Sequence, residues 1–107
     1  MINRHGVLID KQVVLENLTR IGSQIFKLLP YNEEGEDWVK PLETLCIEIS
    51  GLQYLFPNDK DIFTLSCKLE GLRQQAGDIE FMLFRRMIFE MCSLVAVIKA
   101  KLAAEGE

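Results

Sequence analysis

Residues 44–72 read TLCIEISGLQYLFPNDKDIFTLSCKLEGL, and their pattern decides the fold. In the first half Leu45, Ile49, Leu52 and Phe56 recur at spacings of three and four, the period that lines one face of a helix. Ile62, Leu65, Leu69 and Leu72 do the same in the second half, with Ala76 closing the stripe. Only a short break centred on Pro57 and Asn58 separates them, so the two helices are antiparallel neighbours. The halves also echo each other: Thr44-Leu45, Ile49 and Gly51-Leu52 return twenty residues later as Thr64-Leu65, Leu69 and Gly71-Leu72. A glycine inside a helix costs about 1 kcal/mol relative to alanine. In an antiparallel pair Gly51 falls level with Thr64 and Gly71 with Thr44, so a close approach of the two backbones is expected at both levels.

Working outward, Trp38 and Leu42 extend the first stripe upstream and place its helix at 38–56, with Pro41 tolerated in the first turn. The following helix covers 59–76, and Asn58 with Asp61 three residues on resembles a capping arrangement. Before these two, Val14, Leu18, Ile21, Ile25 and Leu28 predict a helix over 11–29, capped by Asp10 and ended by Pro30. After them Gly77 breaks the chain and Asp78 caps a helix over 79–104, whose broad apolar face holds Phe84, Met87, Ile88, Met91, Leu94, Val95, Ile98 and Leu102. No segment alternates apolar and polar residues for long, so no strand is expected. At about 1.5 Å per residue the first three helices are roughly 27–29 Å long and the last roughly 39 Å. The expected architecture is an all-α, up-down antiparallel four-helix bundle with a longer C-terminal helix. It forms a single helical domain over 1–107, with a flexible segment at 1–9 and a frayed tail at 104–107.

Composition narrows the function. Of 107 residues 49% are hydrophobic and 26% charged, the balance of a folded globular domain rather than a disordered chain. Twelve basic against sixteen acidic residues leave a net charge of −4, which gives no general attraction for nucleic-acid phosphates or anionic lipid. Val7 to Ile9 is too short for the apolar core of an export signal, and charges at Glu80, Arg85, Arg86 and Glu90 break the most apolar segment, so no membrane span is expected. Cys46, Cys67 and Cys92 are far apart and odd in number, as buried, reduced thiols of a cytoplasmic protein would be.

Chemistry finds little purchase. His5 is the sole histidine, which excludes Glu-x-x-His di-iron sites, histidine triads and histidine-rich zinc sites. The run Glu33-Glu34-Gly35-Glu36-Asp37 lacks the alternating ligand spacing of a calcium loop, and no matching acidic pair follows on a helix. It reads first as a solvated loop whose charge favours the next helix N-terminus. Arg86 stands four residues before Glu90, the spacing of a surface ion pair. No catalytic, cofactor-binding or metal-binding residue is nominated, and an enzyme is not expected.

Two features point outward. Residues 31–62 carry a net −6, against +2 before and zero after, which would steer a partner with a basic surface. Beyond its core stripe the fourth helix carries Phe81, Met82, Leu83, Phe89, Cys92 and Val97, apolar nearly all round, although a bundle this small covers no helix on every side. The surplus suggests an interface to a protein partner or to a second copy in a homodimer. The expected contact residues are Phe81, Met82, Arg85 and Phe89, with Glu33, Glu34, Glu36 and Asp37 as an acidic rim or second patch. The functional expectation is a small acidic protein-binding module acting as an inhibitor or regulator, of the antitoxin, immunity or anti-defence kind. A self-assembling structural subunit is the alternative, and a helical small-molecule or metal enzyme ranks third.

Overall fold

The computed structural model describes residues 2–4, 7–75, 77 and 79–104, which form an all-α four-helix bundle measuring 44 × 21 × 20 Å. The helices are α1 (Lys11–Glu33), α2 (Val39–Leu55), α3 (Lys60–Gln74) and α4 (Phe81–Ala104). Each packs against its neighbours in sequence, and α4 closes the ring against α1. Contacts run in opposite senses along every neighbouring pair. Gly22 meets Val95 while Phe26 meets Phe89, and Lys101 at the end of α4 bridges Asp59 and Asp61 at the start of α3. The bundle is therefore up-down-up-down, with the α1–α2 and α3–α4 connections together at one end.

The inward stripes read from the sequence are the core. Leu18, Ile21, Ile25 and Leu28 of α1 meet Leu42, Leu45 and Ile49 of α2, Leu65, Leu69 and Leu72 of α3, and Phe84, Ile88 and Ile98 of α4, all with no more than 1% of their surface exposed. Burying one such side chain contributes about 1.5–3 kcal/mol. Trp38 closes the end of the core, its ring 4.7 Å from that of Phe84. Among the described residues no polar or charged side chain is buried, so the core is apolar throughout.

Several boundaries differ from expectation, each for a local reason. Pro30 does not end α1, which runs on to Glu33. A proline within a helix removes one amide donor, here the one that would reach Phe26, and α1 continues around it. The true stop is Gly35, whose φ of +74° suits a residue without a Cβ. With Gly35 turned left-handed, its amide donates to Asn32 O (3.1 Å) and that of Glu36 to Tyr31 O (2.8 Å), the paired bonds of a Schellman end. α1 thus has 23 residues against 24 for α4, and the expected contrast between three short helices and one long one disappears.

Asp59, not Asn58, caps α3, accepting from the amides of Asp61 (2.9 Å) and Ile62 (3.0 Å). α4 begins at Phe81 rather than at 79, because the Glu80 carboxylate takes the amides of Met82 (3.0 Å) and Leu83 (3.1 Å). Asp10 caps α1 as expected. An antiparallel hairpin of β1 (Ile2–Arg4) and β2 (Val7–Ile9) precedes α1, a ladder of three residue pairs that the sequence pattern did not announce. Ala76, Asp78, His5 and residues 105–107, to which the sequence reading gave an inward position, a cap, a histidine and a tail, lie outside the described residues.

The expected close approach at Gly51 and Gly71 does not occur. A Cβ at either position would meet nothing within 4 Å. The two threonines of the echo face opposite flanks: Thr44 borders the α1 side of α2, beside Lys27 and Tyr31, and Thr64 borders the α4 side of α3. Each hydroxyl donates to a carbonyl of its own helix, at Lys40 and Lys60. The tight crossing lies between α1 and α4 instead. There a Cβ on Gly22 would come within 3.3 Å of Val95 Cγ1, and the Cys92 thiol approaches Gly22 O at 3.8 Å.

Candidate functional site: the groove between α3 and α4

The core stripe of α4 leaves its other faces in search of cover. Leu83, Met87, Cys92 and Leu94 find it partly, being half-buried beside the core. Met82 (61%), Val97 (51%) and Phe89 (40%) do not. These three line an open groove of about 880 Å³ along the α3–α4 seam. Its α3 wall contributes Thr64 and Lys68, and its α4 wall adds Glu80, Arg85, Arg86, Glu90 and Ser93. From Met82 to Val97 the groove follows α4 for about 22 Å, taking 1.5 Å per residue.

The charges in the groove are arranged by sign. Glu80 is engaged at the α4 N-terminus, where an anion is favoured. Glu90 pairs across the seam with Lys68 at 3.6 Å, and not with Arg86 as its i, i+4 spacing suggested. Register explains this: antiparallel packing brings Lys68 alongside Glu90. The Arg85 guanidinium lies over the face of the Phe89 ring, 4.9 Å from its centroid. Among the described residues neither Arg85 nor Arg86 has a carboxylate partner within ion-pair distance. The groove is a basic, apolar strip on an otherwise acidic protein.

Of the α4 contact residues expected from sequence, Met82, Arg85 and Phe89 therefore line one surface. Phe81, 39% exposed at the start of α4, stands outside the groove. Glu33, Glu34, Glu36 and Asp37 are all exposed on the α1–α2 connection. They share the end of the bundle with the α4 N-terminus but sit across it, on the α1–α2 edge. Asp37 does local work there, its Oδ1 accepting from Val39 N at 3.0 Å as α2 begins. Lys68 and Thr64 were missed by sequence reasoning, since only the packing of α3 against α4 brings them to the site.

The cysteines divide. Cys46 and Cys92 are half-buried, and burial pushes both thiols up from their ordinary value, with Glu70 adding to the effect at Cys46. Cys67 is exposed, contrary to the expectation of a buried thiol, because it falls on the outer stripe of α3 two residues from Leu65 and Leu69. Among the described residues no cluster of three histidine, cysteine or acidic side chains could hold a metal ion, and no helix is long and apolar enough to cross a membrane.

What the fold and groove define is a small helical bundle with an apolar groove along α4, while Val13, Phe26, Ile47, Tyr54 and Phe63 are exposed on the other helices. No family model, curated protein or solved structure matches the chain.

Proposed function

We propose that this chain is a protein-binding module that acts as an inhibitor or regulator of a partner protein, in the manner of antitoxins, immunity proteins and anti-defence proteins. The observation that carries this reading is the exposure of Met82, Phe89 and Val97 along one groove while every inward stripe is already filled. The core does not need these residues, and uncovered apolar surface rimmed by charge is characteristic of interaction sites. Three cysteines without disulfides fit action in the reducing cytoplasm. The acidic connection at 33–37 supplies a second surface that would quicken encounter with a basic partner.

The test is affinity capture with tagged wild-type protein, the Phe89→Asp variant, and a variant with Glu33, Glu34, Glu36 and Asp37 all changed to lysine. A partner held by the wild type and lost with Phe89→Asp supports the reading. Equal capture by the two overturns the groove as the contact. Loss with the lysine variant alone moves the contact to the acidic end.

A second reading is a homodimer built on the same face. It is favoured by the continuity of the exposed stripe along a single helix, which a twofold axis could bury against itself. Light scattering after size exclusion separates the two. A mass of 12.3 kDa leaves the face free for a partner, whereas twice that mass, reverting to 12.3 kDa in Phe81→Asp/Phe89→Asp, assigns it to self-association.

A further inference from the structure

The geometry points to an acidic amphipathic helix as the occupant of the α3–α4 groove, a deepening that rests on the protein-binding reading above. Shape comes first. The seam between two antiparallel helices is straight, and its exposed apolar points, Met82, Phe89 and Val97, are spread over about 22 Å. A third helix of about 15 residues laid along the seam would match that length and cover the apolar points with one stripe.

Charge gives the occupant its sign. Glu80 and Glu90 are already satisfied, the first by the α4 amides and the second by Lys68. Arg85 and Arg86 have no carboxylate within ion-pair distance among the described residues, and the Arg85 guanidinium rests over the Phe89 ring. A planar guanidinium pair beside an apolar strip matches carboxylates flanking a leucine stripe. The whole protein carries −4, so a preference for an acidic helix would have to come from the groove and not from the long-range field. A second copy packed by the same seam is the poorer match, since the groove's own carboxylates, Glu80 and Glu90, are engaged and the exposed run Glu33, Glu34, Glu36 and Asp37 lies on the α1–α2 edge.

The probe is a fluorescein-labelled helical peptide of about 15 residues with leucines at alternating spacings of three and four and glutamates on the flanks of the stripe. Its twin carries lysine at every glutamate position. Fluorescence anisotropy with the full chain is expected to show the glutamate peptide binding about tenfold tighter than the twin. That gap should narrow as salt screens it and reverse in Arg85→Glu/Arg86→Glu. Both arginines are exposed, and a wild-type circular-dichroism spectrum confirms that the variant is folded.

Equal binding of the two peptides, abolished by Phe89→Asp, would overturn the acidic assignment and leave the protein-binding reading standing. Failure of both peptides to bind would overturn the assignment as well, and the capture experiment then decides the reading by itself. A dimer mass that Phe89→Asp or Met82→Asp dissociates would replace the peptide helix with a second copy.

Discussion

Gly51→Ala should stabilise this protein, and the size of the gain tests how α2 and α3 pack. Gly51 lies within α2, exposed, and a Cβ there meets no atom within 4 Å. Alanine would therefore recover the helix propensity that glycine forfeits, about 0.8–1 kcal/mol, with no steric offset. In a domain of roughly 100 residues that raises Tm by about 4–8 °C per kcal/mol. Gly22→Ala provides the internal contrast. It starts with the same propensity gain, but its Cβ would stand 3.3 Å from Val95 Cγ1 at the tight α1–α4 crossing. A well-packed β-branched neighbour yields little, and forced overpacking costs about 1–3 kcal/mol, so the net effect there is neutral to destabilising. Urea denaturation followed by circular dichroism at 222 nm would measure both variants against wild type. If Gly51→Ala destabilises, or if Gly22→Ala stabilises as much, the packing described here is wrong. Destabilisation by Gly51→Ala would reinstate the close α2–α3 approach suggested by the sequence echo, whereas a gain from Gly22→Ala would remove the tight α1–α4 crossing.

The other predictions concern ends, charges and thiols. Pro30→Ala should stabilise by about 1 kcal/mol or more in the same denaturation assay, since it restores an amide within a helix that already passes through that position. Gly35→Ala should cost about 1–2 kcal/mol, because alanine resists the φ of +74° that ends α1. At Asp59, partial burial raises the carboxyl pKa, but the Lys101 ammonium and the Ile62 and Asp61 amides outweigh it and hold the group below its ordinary 3.8. A depressed carboxyl stabilises above its unfolded value and loses that contribution as pH falls through the folded one. Acid titration should therefore destabilise the wild type below about pH 4 more steeply than Asp59→Asn, and parallel curves would refute the clamp. Ellman's reagent should label Cys67 before Cys46 and Cys92, whose burial keeps their thiols protonated. Equal rates would mean the half-buried pair opens freely.

Much of the fold was legible because the core depends on period alone. Among the described residues nearly all those expected inward, from Val14 through Leu102, are buried; Trp38, Met87 and Leu94 are covered only in part, Leu29 joins the core unannounced, and short connections left only antiparallel neighbours. Helix ends were less legible, since a stop is a competition rather than a symbol. Pro30 is the stronger breaker on propensity, yet the end fell at Gly35, where backbone conformation and two amide bonds agree. Capping failed for a related reason. Asn58 and Asp59 are both good caps, and which one serves depends on where the preceding helix releases the chain. The glycine echo misled because helical phase matters as much as level. Gly51 and Thr64 share a height along the bundle, but Thr64 is turned toward α4 and not toward α2.

The site was half legible for the same physical reason. Sequence shows that α4 has more apolar surface than a core stripe uses, and Met82, Phe89 and Val97 are indeed uncovered. It cannot show what lies across the seam, because Lys68 reaches Glu90 only through the antiparallel register of two helices. That one ion pair decides which cations of the site stay unpaired. Had Glu90 paired with Arg86, as spacing alone suggests, the unpaired cations would be one guanidinium and the Lys68 ammonium, the same charge without the paired planar forks. With Lys68 taking Glu90, both Arg85 and Arg86 face outward beside an apolar strip, and the acidic character of the chain becomes a poor guide to what it binds. Replacing Lys68 with alanine should release Glu90 toward Arg86 and weaken the glutamate peptide without touching an apolar contact. The charge pattern of the groove is thus set from both of its walls and not by α4 alone.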